Sequence, residues 1–477
     1  NTTSCCHGQI CQQSPKPFGA ELPHMTLPAS QAQTAKLMFT LRHISPLPRR
    51  SFVDHHMQFK EDAASSPLNV CPSCNMTARL NITSARHRRY VGVTPVRRRY
   101  VVGTTSTHRR PREGLGYDSM SDIFPQNPTL VTLHNAAGMQ VTLMDWGATI
   151  HSIKVPLGNG TLREMLIGPA NPEDYHHQYC YMGATIGRYA NRIDKGQFVA
   201  NGKDYTVGGG KDVVLHGGDV GFDKQRFSIL EQQPNCVTFK LHSPDGQEGF
   251  PGNFDLIVKY TLGDDGSLRV DYHGTCDQEC PACITNHSYF NLNGKHCKVL
   301  GHEAMFNAKS ILLMDPRSIP TGVVYDVTAR TDKVDNFNFT QFKKLAPSGS
   351  VEDFVGDENM RFTGGYDHAY VINDYGDITK PCATVKGEVV DGKQVQLEVF
   401  TNYPAFQFYS GNAINQGVPD VAIARDDNKE YGPHDGFCIE PEYFPDAPHL
   451  KEFTEVNPVV TPKQPLNRYI MYKFTVL

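Results

Sequence analysis

No stretch of this 477-residue chain approaches the roughly 18 consecutive apolar residues that a membrane-spanning helix needs, so none is expected. Long amphipathic repeats at helical spacing are also missing; the best short candidate is a single turn at 172–177. There is no phosphate-binding glycine loop, dinucleotide fingerprint or zincin motif, so neither nucleotide nor metal chemistry has a recognisable carrier. The thirteen cysteines form no regular framework. Two CxxC pairs, Cys71/Cys74 and Cys280/Cys283, lie about two hundred residues apart in segments of different character, where a structural zinc site wants them on one compact unit. A redox CxxC belongs at the start of a helix, and strand-like sequence flanks Cys280 on both sides. Free thiols, no metal and no cofactor are therefore expected.

What is present divides the chain in two. Residues 1–119 hold 16 Lys/Arg against 6 Asp/Glu, leaving 30 against 44 for the remainder, although the whole carries a net charge of only -4. The first part is rich in Ser, Thr, Pro, His and Arg and lacks periodicity, so 1–119 is expected to be a basic, low-order extension. Its clusters, such as Arg86-His87-Arg88-Arg89, come without an aromatic platform or nucleic-acid fold, and no nucleic-acid partner is expected. At Met120 the character changes, and 120–477 is expected to be the folded domain. N-x-S/T sequons occur at Asn1, Asn75, Asn81, Asn159, Asn286 and Asn338, and they matter only in a secreted protein. No signal peptide is visible, which points to the cytoplasm, and a monomer or weak dimer is expected.

From Leu130 onward, short apolar/polar alternations are broken by Gly, Asn and Asp. The period-two runs 256–262 and 268–272 flank Gly263-Asp264-Asp265-Gly266, residues that tolerate positive φ, and so predict a hairpin. A second hairpin is predicted from 385–390 and 395–399 around Asp391-Gly392. About 350 residues of this kind imply an all-β fold built as one large two-sheet structure.

Several segments set polar residues among aromatics and glycines. ITNHSYFNLNG at 284–294 interrupts a strand-like run with His287, which taken alone reads as a core histidine satisfied by its neighbours. The others are GRYANRI at 187–193, LHGG at 215–218, GYDHA at 365–369 and GFCIEPEYFPD at 436–446. Glu440 is the hardest to assign to structure alone, because Phe437, Cys438 and Ile439 place it in a buried strand. A carboxylate there must be paired or have its pKa raised, as a general base working near neutrality requires. His287 is its natural complement, an acid able to give a proton near pH 7.

These motifs, with GATIGRYANRIDKGQF at 183–198, LHGGDVGFDK at 215–224, TNHSYFNLNG at 285–294, GYDHAYVI at 365–372, FQFYSGN at 406–412 and GFCIEPEYFPDAP at 436–448, stand in an order that resembles the galactose mutarotases (aldose 1-epimerases) over 121–477. The resemblance implies a β-supersandwich whose pocket takes a free hexose such as galactose or glucose and interconverts its anomers without a cofactor. By motif, Glu440 would be the general base, His287 the general acid, and His216 would polarise the ring oxygen. Asn191, Arg192, Asp367 and Gln407 would hold sugar hydroxyls, and Ser288, Tyr289 and Phe290 would shape the wall. A hexose-6-phosphate 1-epimerase of the same fold, or a sugar-binding relative without catalysis, stays open as an alternative.

The match is imperfect at a few positions. Phe227 stands where relatives often have tryptophan, Pro441-Glu442 where Thr-Gln is common, and His449 where an asparagine is usual. In a strand Glu442 shares a face with Glu440, so it either enters the pocket and raises the pKa of Glu440 or alters sugar preference, or points away without consequence.

Overall fold

The computed structural model describes residues 127–176, 179–329, 336–415, 430–450, 456 and 458–477. The basic extension expected over 1–119, with its arginine clusters, its CxxC pair and three sequons, lies outside the described residues.

The alternating runs become antiparallel strands. Phe254–Leu262 and Ser267–Cys276 pair across the expected turn, with Val258, Tyr260, Val270 and Tyr272 buried on one face. The turn closes through Gly263 N–H to Ser267 O at 2.7 Å, with Gly266 at φ +80° where a side chain would be strained. This hairpin sits in a nine-stranded antiparallel sheet whose middle is completed by the long last strand, Leu466–Val476. The second expected hairpin joins the same sheet as Ala383–Lys386 and Val395–Thr401. It is shorter than the sequence suggested, since Val390 pairs with Lys393 in the connecting turn.

A second sheet of five strands runs in the order Pro320–Asp326, Ala308–Met314, Asp367–Ile372, Ala405–Tyr409 and Cys438–Glu442. Aromatic side chains from both sheets interlock, among them Phe306 with Phe406 at 5.2 Å between ring centroids. Phe290, in the segment between the sheets, packs on Tyr472 at 5.2 Å. Such offset and edge-on ring pairs add to simple burial. A four-stranded sheet over Leu130–Glu164 and four two-stranded ribbons complete the architecture. Among the described residues there is one α-helix, Glu358–Thr363, capped by Asp357 Oδ1 accepting from Asn359 N–H at 3.0 Å and ended by Gly364 at φ +74°. The turn expected near 172–177 is a 3-10 helix over Pro172–His176. The chain is thus all-β in the two-sheet sense the alternation implied.

All eight described cysteines are free thiols, Cys280 and Cys283 included. Asn286 is fully buried, donates from Nδ2 to Gly183 O at 2.8 Å and accepts from Ser288 Oγ at 2.6 Å, so that sequon belongs to the interior.

Candidate functional site

Three adjacent strands of the five-stranded sheet, Asp367–Ile372, Ala405–Tyr409 and Cys438–Glu442, the segment 187–192, the turn after Leu215 and the segment 284–294 converge on one cavity of about 360 Å³. Its lining includes Asn191, Arg192, His216, His287, Tyr289, Asp367, Gln407 and Glu440, eight of the ten residues singled out from the sequence. Ser288 and Phe290 are not among them. The chain alternates its side chains here: His287 and Tyr289 face the cavity, while Ser288 bonds to Asn286 and Phe290 enters the core.

Local anchoring explains how each group arrives. Arg188 is fully buried and gives its guanidinium to the carbonyls of Pro251 at 2.8 Å, Gly252 at 3.0 Å and Ser243 at 3.1 Å, pinning the segment that delivers Asn191 and Arg192. Asn191 (φ +63°) and His216 (φ +53°) hold the left-handed conformation and bond to each other through their backbones, His216 N–H to Asn191 O at 3.0 Å. Strain of this kind persists only where the surroundings over-determine it. Gly217 permits the turn, because a Cβ on it would lie 2.2 Å from Gly187 O. Glu440 and Gln407 arrive as cross-strand partners.

At the floor, His287 Nε2 lies 3.6 Å from Glu440 Oε2, and both side chains are almost wholly buried. Burial moves them in opposite directions. It lowers His287 to about 4, and it raises Glu440 well above the ordinary carboxylate range, with Glu442 and Asp367 pushing the same way and Arg192 opposing. Desolvation thus favours the uncharged form of each, the carboxylic acid and the neutral imidazole, which together hold one proton. His287 Nδ1 faces Cys438 Sγ at 3.5 Å, and its ring stacks on Tyr289 at 5.0 Å. His216 meets His287 edge-on at 5.4 Å.

The backbone N–H of Asn191 donates to His216 Nδ1 at 3.1 Å, which leaves the ring proton on Nε2. His216, lowered well below its usual value by burial and by His287, is thus a neutral hydrogen-bond donor. His216, His287 and Glu440 bring three candidate ligand atoms within 4.8 Å of one another, a spacing that suits a metal ion. The Asn191 bond works against that use, because a ring nitrogen carrying a proton has no lone pair for a metal.

On the cavity wall Arg192 Nη2 reaches Asp367 Oδ2 at 3.3 Å, and Gln407 Nε2 donates to Asp367 Oδ1 at 2.7 Å. Arg192 Nη1 also donates to Asn191 Oδ1 at 3.3 Å. These planar groups present several fixed donors and acceptors to a polyhydroxylated ligand. Among the described residues Arg192 is the one Lys or Arg in the lining.

Four aromatic lining residues, Tyr179, Tyr181, Phe362 and Tyr409, were missed in the sequence, and two of them meet the histidines. Tyr181 lies 4.6 Å from the His216 ring and 5.9 Å from that of His287, and Tyr409 meets His287 edge-on at 6.2 Å. Tyr409 had a signal, since it lies two residues beyond Gln407 on the same face of a strand. Tyr181, in a positive-φ turn, had none. Glu442 sits behind the lining and accepts from Asn191 Nδ2 at 2.8 Å. His449 forms a half-exposed contact with Asp446 at 2.6 Å, outside the lining.

Comparison with known proteins points to one family. The family model for aldose 1-epimerase matches residues 129–472. An aldose 1-epimerase of Escherichia coli is 38% identical over 346 residues, 72% of this chain and 94% of that protein. A human galactose mutarotase is 34% identical over 343 residues, 71% and 92% respectively. Among solved structures, an aldose epimerase homologue from C. elegans superposes with a TM-score of 0.62 at 25% identity, covering 73% of this chain and 99% of its own.

Proposed function

The chain belongs to the aldose 1-epimerase family of carbohydrate isomerases, and from that premise we propose that it interconverts the α and β anomers of free hexoses such as galactose and glucose. The observation that carries this reading is the buried pair of His287 and Glu440, 3.6 Å apart and shifted in opposite directions.

Ring opening removes a proton from the anomeric hydroxyl and adds one to the ring oxygen. No proton is gained or lost overall. A site holding one proton between a base and an acid suits this stoichiometry. When the sugar enters, its hydroxyls replace the water that burial excluded and favour the charged arrangement, Glu440 ionised and His287 protonated. That arrangement has the same proton count as the empty site. Glu440 then takes the hydroxyl proton, His287 protonates the ring oxygen, and the bond between C1 and the ring oxygen breaks. Rotation about C1–C2 presents the other face of the aldehyde, and closure reverses both transfers. His216, donating from Nε2, stabilises charge developing on the oxygens at C1. Arg192, Asp367, Gln407 and Asn191 hold the remaining hydroxyls, so the open form stays aligned for closure. Every step is proton transfer and positioning by this chain's own side chains.

Arg192, the one strongly basic side chain among the described residues of the lining, is engaged by Asp367, which favours a neutral sugar over a hexose phosphate. The test is polarimetry following α-D-galactose and α-D-glucose, with galactose 6-phosphate alongside. The wild type should speed equilibration of the free sugars, and His287→Asn should lower kcat at least about a hundredfold. A wild-type rate equal to buffer would remove the catalytic reading and leave a sugar-binding protein.

A further inference from the structure

The strand Cys438–Glu442 buries two carboxyl groups on one face, and the reaction above uses only Glu440. Glu442 is fully buried behind the cavity lining. Its Oε1 accepts from Asn191 Nδ2 at 2.8 Å, and its Oε2 is buried without a partner. Among the described residues no Lys or Arg forms an ion pair with either carboxyl group; Arg192 is taken up by Asp367 and Asn191. Two carboxyl groups so placed cannot both ionise cheaply, because each charge would be desolvated and would face the other.

Asn191 gives the second half of the geometry. Its amide is held between Glu442 on one side and Arg192 on the other, and its backbone N–H fixes His216. Anything that holds Asn191 therefore acts on two groups facing the sugar.

We propose that Glu442 is a positioning residue that never touches the sugar: its Oε1 anchors Asn191 and, through it, His216 and Arg192, while its carboxylate charge, where it forms behind the lining, keeps the working proton on the Glu440–His287 pair. This rests on the acid–base roles assigned above to Glu440 and His287. Burial raises Glu442 to about 8, with the Asn191 bond and Arg192 opposing and Asp367 adding. Glu440 is raised by burial first and Glu442 next. The neighbouring Tyr189 and Cys283 are raised well above their usual values by burial, so neither supplies a competing charge near neutrality. As pH passes about 8, Glu442 becomes negative and makes loss of the remaining proton harder, extending the active range upward.

Glu442→Gln in the full chain separates charge from shape, because the amide oxygen can still accept from Asn191 but cannot become negative. Above the pH of about 8 at which Glu442 ionises, kcat/KM of the variant for galactose should fall below wild type by at least about threefold. Its alkaline limb should move to lower pH, while KM at neutral pH stays within about twofold. Glu442→Ala, which also removes the anchor, should raise KM at every pH. An alkaline limb unmoved in Glu442→Gln overturns the charge role, and an unchanged KM in Glu442→Ala overturns the anchor. Infrared titration without sugar makes the outcome independent of catalysis: in a Glu440→Gln background, where Glu442 is the one carboxyl group of the pair left, a buried carboxylic-acid band should be lost near pH 8, and the variant that adds Glu442→Gln should lack it. If the double variant keeps that band, the proposal fails even where the wild type is active; if the band behaves as expected and the wild type converts no sugar, the mutarotase reading fails instead.

Discussion

Replacing Glu440 by glutamine should damage activity and strengthen the fold at the same time. The side chain keeps its shape and loses the ability to accept the hydroxyl proton, so kcat should fall by about 10²- to 10⁴-fold, equivalent to roughly 3–5 kcal/mol of barrier. The stability effect runs the other way. Glu440 is only 3% exposed, and no Lys or Arg among the described residues pairs with it. Its pKa in the fold is raised by burial, so folding draws a proton onto a group that is ionised in the unfolded chain at pH 7. For an ordinary glutamate that protonation costs at most about 3.4 kcal/mol at pH 7. Glutamine avoids this term but still buries an amide, so a net gain of roughly 1–3 kcal/mol is expected, seen as a Tm rise of about 2–4 °C. Polarimetry on α-D-galactose, corrected for the spontaneous rate, reads the first effect, and thermal unfolding by circular dichroism reads the second. A variant within about tenfold of wild-type kcat would refute the base assignment. A lowered Tm would show that Glu440 is a structural carboxylate whose loss breaks packing, and the electrostatic reasoning would go with it.

Other perturbations follow from the same geometry. Gly217→Ala places a methyl group 2.2 Å from Gly187 O at φ +88°, so it should cost at least about 2 kcal/mol in chemical denaturation and misplace His216; wild-type stability would contradict the close approach. His287, His302 and His368 have folded pKa values of about 4, 3 and 4 against 6.5 unfolded, all lowered by burial. Between pH 6.5 and pH 4 the unfolded chain therefore binds more protons, and stability is lost as pH falls, on the order of 2–3 kcal/mol per histidine. The raised Glu440 and Glu442 act in the opposite sense, so the check is His302→Asn, whose urea midpoint should fall less than that of wild type over this interval; an identical fall would refute it. Deleting residues 1–119 should leave mutarotation unchanged, since the family match spans 129–472; an inactive but folded truncation would assign the extension a role.

Much of the architecture follows from local pattern, because alternation with period two and turn residues act over a few positions. The hairpin around Gly263–Gly266 and the buried strand carrying Glu440 could be read from composition and spacing alone. The same arithmetic already implied that Ser288 and Phe290 turn away when His287 faces a cavity, and that Tyr409 accompanies Gln407. It could not reveal Tyr181, whose place depends on a left-handed turn, nor whether Glu442 enters the cavity. It could not set the 3.6 Å between His287 and Glu440, which are over 150 residues apart, or the proton position on His216, which is decided by a backbone N–H from another segment. Residue types and their period are properties of the chain itself. Desolvation, charge coupling and tautomer depend on which distant segments pack together, so the groups able to carry the chemistry were legible in the sequence, while their protonation states were decided only by the folded interior.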